Sequence, residues 1–192
     1  MKDAKTFVKC VTVLACIALV AGILLGLVSQ VTAISEEEQA ARAVKKIEAI
    51  RAGDYRAEDL SAYETNLERG RVSYLFSERG ETVWYAAVTV GYGGYGGEVE
   101  LFVLLEGDVV REIGVGSNKE TPGISDNALK NESYFAQYKG KTVARIAAAL
   151  SEGGAGIENA SGATYSSRGT KNAMAALAEF LCGYFENEGG AA

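Results

Sequence analysis

Residues 10–34 carry no charged side chain and consist mainly of Val, Leu, Ile, Ala and Gly. At the helical rise such a run reaches roughly 37 Å, more than the about 30 Å of a bilayer's hydrocarbon core. Lys2, Lys5 and Lys9 precede it, opposed only by Asp3, and Glu36, Glu37 and Glu38 follow. A basic flank stays on the cytoplasmic side. The expected plan is therefore a cytoplasmic tail over residues 1–9, a transmembrane helix over 10–34 and an extracytoplasmic domain over 35–192 in the cell membrane. Val31-Thr32-Ala33 loosely matches a small-residue cleavage site. The apolar run exceeds the usual h-region of a signal peptide, however, and this favours a retained anchor.

At 192 residues the chain can hold, besides the anchor, one domain with a core of its own. The net charge of −6 argues against nucleic acid as a partner, because phosphate backbones need basic surface. The sequence has no histidine. That removes His-based zinc sites and the Ser-His and Cys-His nucleophile systems. Cys10, Cys16 and Cys182 form no metal-binding or CxxC spacing. Redox work by this chain would require an added organic cofactor.

Ser35-Glu36-Glu37-Glu38 reads as a capping box. Ala40, Ala43, Val44, Ile47 and Ile50 then supply an apolar helical stripe that stops by Gly53. Residues 54–70 read as irregular or weakly helical. Strands are expected over 72–76 and 82–90 around a turn at Glu78-Arg79-Gly80. A second hairpin is expected over 98–105 and 109–115 around Glu106-Gly107-Asp108. Residues 125–138 look helical, 144–150 read as a short helix, and a glycine-rich turn follows at 153–156. The last helix is expected over 170–188, with Met174, Leu177, Leu181, Tyr184 and Phe185 at helical spacing. The fold class is α+β, an antiparallel-rich sheet with flanking helices.

Gly91-Tyr92-Gly93-Gly94-Tyr95-Gly96-Gly97 contains a literal G-x-G-x-x-G after a predicted strand. A dinucleotide motif must open a helix, whereas residues 98–103 alternate as a strand, so that reading fails on context. Two readings remain open. One is a glycine-rich connection between strands; the other is a backbone pared down for a planar ligand, with Tyr92 and Tyr95 packing beside it.

Two further stretches stand out. Asn118-Lys119-Glu120-Thr121-Pro122-Gly123-Ile124 holds a tight turn, with Pro presetting φ and Gly supplying φ > 0. Ser161-Gly162-Ala163-Thr164-Tyr165-Ser166-Ser167 precedes the last helix, where serines and threonines cap and unpaired N–H groups suit an anion. Arg168 is near enough to meet a phosphate held there.

In order along the chain, the anchor, the acidic helix, G-Y-G-G, E-T-P-G and S-G-A-T resemble the covalently flavinylated subunits of Rnf and sodium-pumping NADH:quinone reductase complexes. The length suits the Rnf type better than its longer relative in the quinone reductase. The resemblance implies FMN joined through a phosphodiester to Thr164, with Ser161, Gly162, Ala163 and Ser166 around the attachment point. It also implies that Glu120, Thr121, Pro122 and Gly123 line the flavin. Asn118 stands where the family has His, and Ile124-Ser125 where it has Leu-Gly. Asn159, beside Glu158, stands where the family often has Asp.

Implied partners are the other membrane and peripheral Rnf subunits, and a flavin transferase for maturation. The implied role is an electron carrier in a complex coupling ferredoxin oxidation to Na+ or H+ movement. An anchored flavoprotein with other redox partners, or an unmodified binding or assembly module, are the alternatives. Trp84, Tyr92, Tyr95 and Tyr165 are candidates for ring contacts, and Cys182 reads as core.

Overall fold

A computed structural model describes residues 2–32, 35–151 and 156–187. The 33–34 end of the expected anchor and residues 153–155 of the expected glycine turn lie outside the described residues. The chain falls into two compact units, Met1–Gln39 and Ala40–Ala192.

In the first unit, α1 (Lys2–Thr32) is uninterrupted and takes in the basic flank as well as the apolar run. Its segment Val11–Val28 has mean hydropathy 2.8, and every side chain from 11 to 28 is exposed. Such a helix is long and apolar enough to cross a bilayer, so α1 could serve as a single membrane span. Ser35 starts α2 (Glu36–Ile50) as the capping box predicts, its Oγ accepting from the Glu38 amide at 3.2 Å.

The second unit is built on a six-stranded antiparallel sheet. Its strands are β1 (Arg56–Ala57), β2 (Asn66–Leu67), β3 (Gly70–Arg79), β4 (Val83–Gly94), β5 (Gly97–Glu106) and β6 (Val109–Asn118). The order is β1-β3-β4-β5-β6, with β2 also pairing with β3. The irregular stretch expected over 54–70 thus contains two short edge strands. Both expected hairpins form, but the first turns at residues 80–82, because Glu78 and Arg79 still pair with Trp84 and Val83; Gly107 takes φ 57° in the turn of the second.

Alternation along the strands sorts the side chains into two cores. Tyr85, Ala87, Val99, Leu101, Val103 and Leu105 face one core; Ala86, Val88, Phe102 and Leu104 face the other. Leu101 to Leu105 is therefore apolar without a break, because this central strand is covered on both sides. Val72 and Leu75 share a face despite their odd spacing, since a register shift between Val72 and Tyr74 inserts one extra residue.

Ala43 and Ile47 of α2 cover the second core, together with Tyr55 and Phe76. The first core is covered by α5 (Val143–Ser151) and α6 (Thr164–Asn187), with Tyr134, Phe135 and Tyr138 beside them. The helix expected over 125–138 is two single turns, α3 (Asp126–Leu129) and α4 (Glu132–Phe135). Asn131 separates them by capping the second, its Oδ1 accepting from the Ser133 amide at 3.0 Å. Cys182 is half-buried against the first core, and burial raises its thiol pKa. Its place is structural, as its setting in the sequence suggests.

Candidate functional site

The helix after the S-G-A-T stretch begins earlier than its apolar spacing indicates. α6 opens at Thr164, not near residue 170. The polar run Ser166-Ser167-Arg168-Gly169-Thr170 is inside the helix, and Ser166, Ser167 and Thr170 are buried there. Each buried hydroxyl is paired. Thr170 donates to the Ser166 carbonyl at 3.0 Å, Ser167 Oγ accepts from the Ala160 amide at 2.9 Å, and Ser166 Oγ bonds to Glu120 Oε2.

Ala163 takes the cap position, its carbonyl accepting from the Ser167 amide at 2.9 Å. Gly162 turns the chain into the helix at φ 75°, a conformation that favours glycine. The Ser161 carbonyl accepts from Asn127 Nδ2 at 3.2 Å, and Gln137 brackets the Glu158 backbone through both its amide atoms. Thr164 is thereby held at the first helical position, exposed to solvent, on a connection pinned at several points. A residue in this place leaves its own N–H and those of its neighbours outside the helical ladder, where they suit an anion.

The loop after β6 comes to the same place. Thr121-Pro122-Gly123 forms the expected turn, with Gly123 at φ 86° and Ser125 bonding back to the Thr121 carbonyl through its amide (3.0 Å) and its hydroxyl (2.9 Å). Glu120 is 8% exposed. Its carboxylate joins three segments: one oxygen accepts from the Gly96 amide at 2.8 Å, and the other bonds to Ser166 on α6. Glu120→Ala would leave the buried Ser166 hydroxyl and the Gly96 amide without their acceptor. The expected cost is about 2–3 kcal/mol, seen as a lower denaturant midpoint.

The glycine run is a strand end, and neither of the two open readings describes it fully. β4 continues through Gly94, and β5 resumes at Gly97. Glycines are needed because other protein backbone lies against this hairpin. A Cβ on Gly91 would lie 2.0 Å from the Gly169 carbonyl oxygen and 2.3 Å from the Ala173 amide, both on α6. One on Gly96 would lie 2.0 Å from the Lys119 carbonyl oxygen. Arg168 Nε donates to the Gly93 carbonyl and Asn172 Nδ2 to that of Tyr92, each at 2.7 Å. The hairpin tip is thus docked along the first turns of α6.

Two cavities result, and Thr164 lines both. One, about 390 Å³, is lined by Tyr95, Glu120, Thr121, Ile124, Ser125, Gly162, Ala163, Thr164, Tyr165 and Ser166. The other, about 340 Å³, is lined by Arg69, Leu150, Asn159, Thr164, Arg168, Lys171 and Asn172. The first collects apolar side chains that would ordinarily be buried. Tyr95, Ile124 and Tyr165 are 73%, 58% and 53% exposed. The Tyr95 and Tyr165 rings meet edge-on, with centroids 6.1 Å apart, and the Arg168 guanidinium lies over Tyr165 at 4.8 Å. Exposed apolar groups gathered at one concavity, with buried polar groups beneath, describe a site for a flat, largely apolar ligand.

Of the residues singled out from the sequence, Gly162, Ala163, Thr164, Ser166, Glu120 and Thr121 line this cavity. Ser161 fastens the loop, and Pro122 and Gly123 shape the turn, without lining it. Among the aromatic candidates, Tyr95 and Tyr165 line the cavity. Trp84 does not; it packs against the second core under the Arg51 guanidinium, 4.1 Å from its ring. Ile124 and Ser125, noticed in the sequence only as departures from a family pattern, are part of the wall. Arg69, Lys171 and Asn172 gave no local signal, because the fold alone brings them to Thr164.

Residues 94–179 match the family model described as the FMN-binding domain. No curated protein matches the chain. The matched segment runs from the hairpin tip through the Glu120 loop and Thr164 into α6, and so contains both walls of the ring-sized cavity. It supports an FMN-binding family, with FMN as the cofactor and flavin-based electron transfer as the kind of chemistry. The residues present fit that group: an aromatic-rimmed cavity for a ring system, and a cationic cavity at the same threonine for a phosphate.

Proposed function

We propose that this protein is an electron-carrier subunit of a membrane-bound Rnf-type complex. FMN is attached by a phosphodiester to Thr164, and the C-terminal domain works on the extracytoplasmic side. What carries the reading is Thr164 itself: an exposed hydroxyl at a helix start, on the border of an aromatic-rimmed cavity and a cationic one. The ordered motifs, the FMN-binding match over 94–179 and the apolar helix α1 support it.

Attachment breaks the Thr164 O–H bond and one phosphoanhydride bond of a flavin dinucleotide donor. It forms the Thr164 O–P bond and releases the nucleotide monophosphate and a proton. A transferase needs access to that hydroxyl, and the exposure of Thr164 provides it. When bound, the flavin supplies one- and two-electron transfer. The chain holds it in place: Tyr95, Ile124 and Tyr165 shield the ring from water, while Glu120 fixes Ser166 and the hairpin tip behind it. A covalent bond also keeps the cofactor from being lost outside the cytoplasm.

Purification of the full chain from native membranes in mild detergent tests the assignment to a complex. The expected result is a band that fluoresces as flavin after denaturation, together with several co-purifying membrane subunits. A fluorescent chain that purifies alone would support the reading of a flavoprotein with other partners. A chain without flavin would support an unmodified assembly module.

A further inference from the structure

The ring-sized cavity is walled mostly by neutral groups. Among its described lining residues Glu120 is the one carboxylate, and none is a lysine or arginine. That carboxylate is fixed in place: the Gly96 amide donates to one oxygen at 2.8 Å, and the Ser166 hydroxyl donates to the other. Gly94 closes over it, since a Cβ there would lie 2.5 Å from Glu120 Oε1. Both partners are neutral donors, which hold a carboxylate without cancelling its charge. Among the described residues no lysine or arginine forms an ion pair with Glu120. Lys119, the residue before it, is exposed, and Arg168 on the rim is engaged by the Gly93 carbonyl and the Tyr165 ring.

A charge set in the wall of a concavity is screened less than one in open water, so it acts on whatever the concavity binds. A flavin ring that takes up two electrons and one proton from a donor gains one negative charge. Beside a fixed carboxylate, that form is disfavoured relative to the neutral oxidised ring.

We propose that Glu120 sets the redox potential of the bound flavin, its buried negative charge making the cofactor a stronger reductant than a neutral wall would. The inference rests on the reading that this cavity receives the FMN ring. It gives Glu120 a part in the redox chemistry beyond fastening Ser166 and the hairpin tip. The carboxylate acts through its field, and no proton of its own is transferred.

The test uses the full chain in detergent with its flavin attached, as its mass shows. Flavin absorbance is followed through a titration with dithionite and redox mediators at fixed pH and salt. Glu120→Gln keeps an acceptor for the Gly96 amide and removes the charge. It should shift the two-electron equilibrium toward reduced flavin by roughly tenfold or more, about 30 mV upward. Glu120→Asp loosens the same bonds but keeps the charge, and should stay within about threefold of the parent. Glu98→Gln removes an equal charge from an exposed pair with Arg71, and should also stay within about threefold. Thr121→Asp adds a charge at an exposed point of the same wall and should lower the potential, which serves where Glu120→Gln does not fold.

A Glu120→Gln potential equal to or below that of the parent would overturn the proposal. So would Gln and Asp variants that shift alike, or a Thr121→Asp potential that does not fall. A parent chain whose mass shows no flavin fails the attachment reading and takes this inference with it. A flavin-bearing chain indifferent to Glu120→Gln loses this inference and keeps the attachment.

Discussion

Replacing Gly91 with alanine is expected to destabilise the domain by about 3 kcal/mol, the upper end of the usual cost of overpacking. The added methyl would lie 2.0 Å from one backbone atom of α6 and 2.3 Å from another. No side chain can rotate out of its way, so the hairpin and the helix must separate. Separation would also break the buried bond from Thr89 Oγ1 to the Ala173 carbonyl, 2.9 Å long. Gly183→Ala is the matched comparison. It lies in the same helix, and a methyl there would meet nothing within 4 Å. Relief of backbone entropy should make it neutral or stabilising by about 0.5–1 kcal/mol. The denaturant midpoint of Gly91→Ala should therefore fall, and that of Gly183→Ala should hold or rise. A Gly91→Ala chain as stable as the parent would contradict the close packing of β4 on α6.

Thr164→Ala is the second large expectation, and its effect is on the cofactor. Thr164 is exposed and its hydroxyl has no hydrogen-bond partner among the described residues, so stability should change by no more than about 0.5 kcal/mol. Covalently bound flavin should disappear completely. Near-ultraviolet circular dichroism would show the fold intact, and a denaturing gel would show no flavin fluorescence. Fluorescence that persists on the denatured variant would remove Thr164 from the proposed mechanism and shift attention to another hydroxyl of the same loop.

Much of this arrangement is legible in the residues. The long apolar helix follows from an uncharged run, the hairpins from alternating strands around Gly80 and Gly107, and the turn at Thr121-Pro122-Gly123 from two residues with restricted or permissive φ. What is not legible depends on tertiary partners. The first turns of α6 are polar and contain Gly169, so helical periodicity is hidden there. The helix forms because Glu120, Ala160 and Ser166 satisfy the buried hydroxyls. Gly91 and Gly96 look like loop residues until the backbone they lie against is known. The edge strands Arg56–Ala57 and Asn66–Leu67 are too short to show any period. Arg69 and Lys171 are ordinary surface cations in the sequence, and only the topology places them on either side of one cavity.

The central claim is a covalent bond at one oxygen, and intact-mass spectrometry of the chain taken from its native membrane tests it most directly. The expected result is a chain heavier than its sequence by one FMN less one water, with the added mass mapping to the peptide that contains Thr164. A chain whose mass equals that of its amino acids alone, or whose flavin maps to another residue, would contradict it.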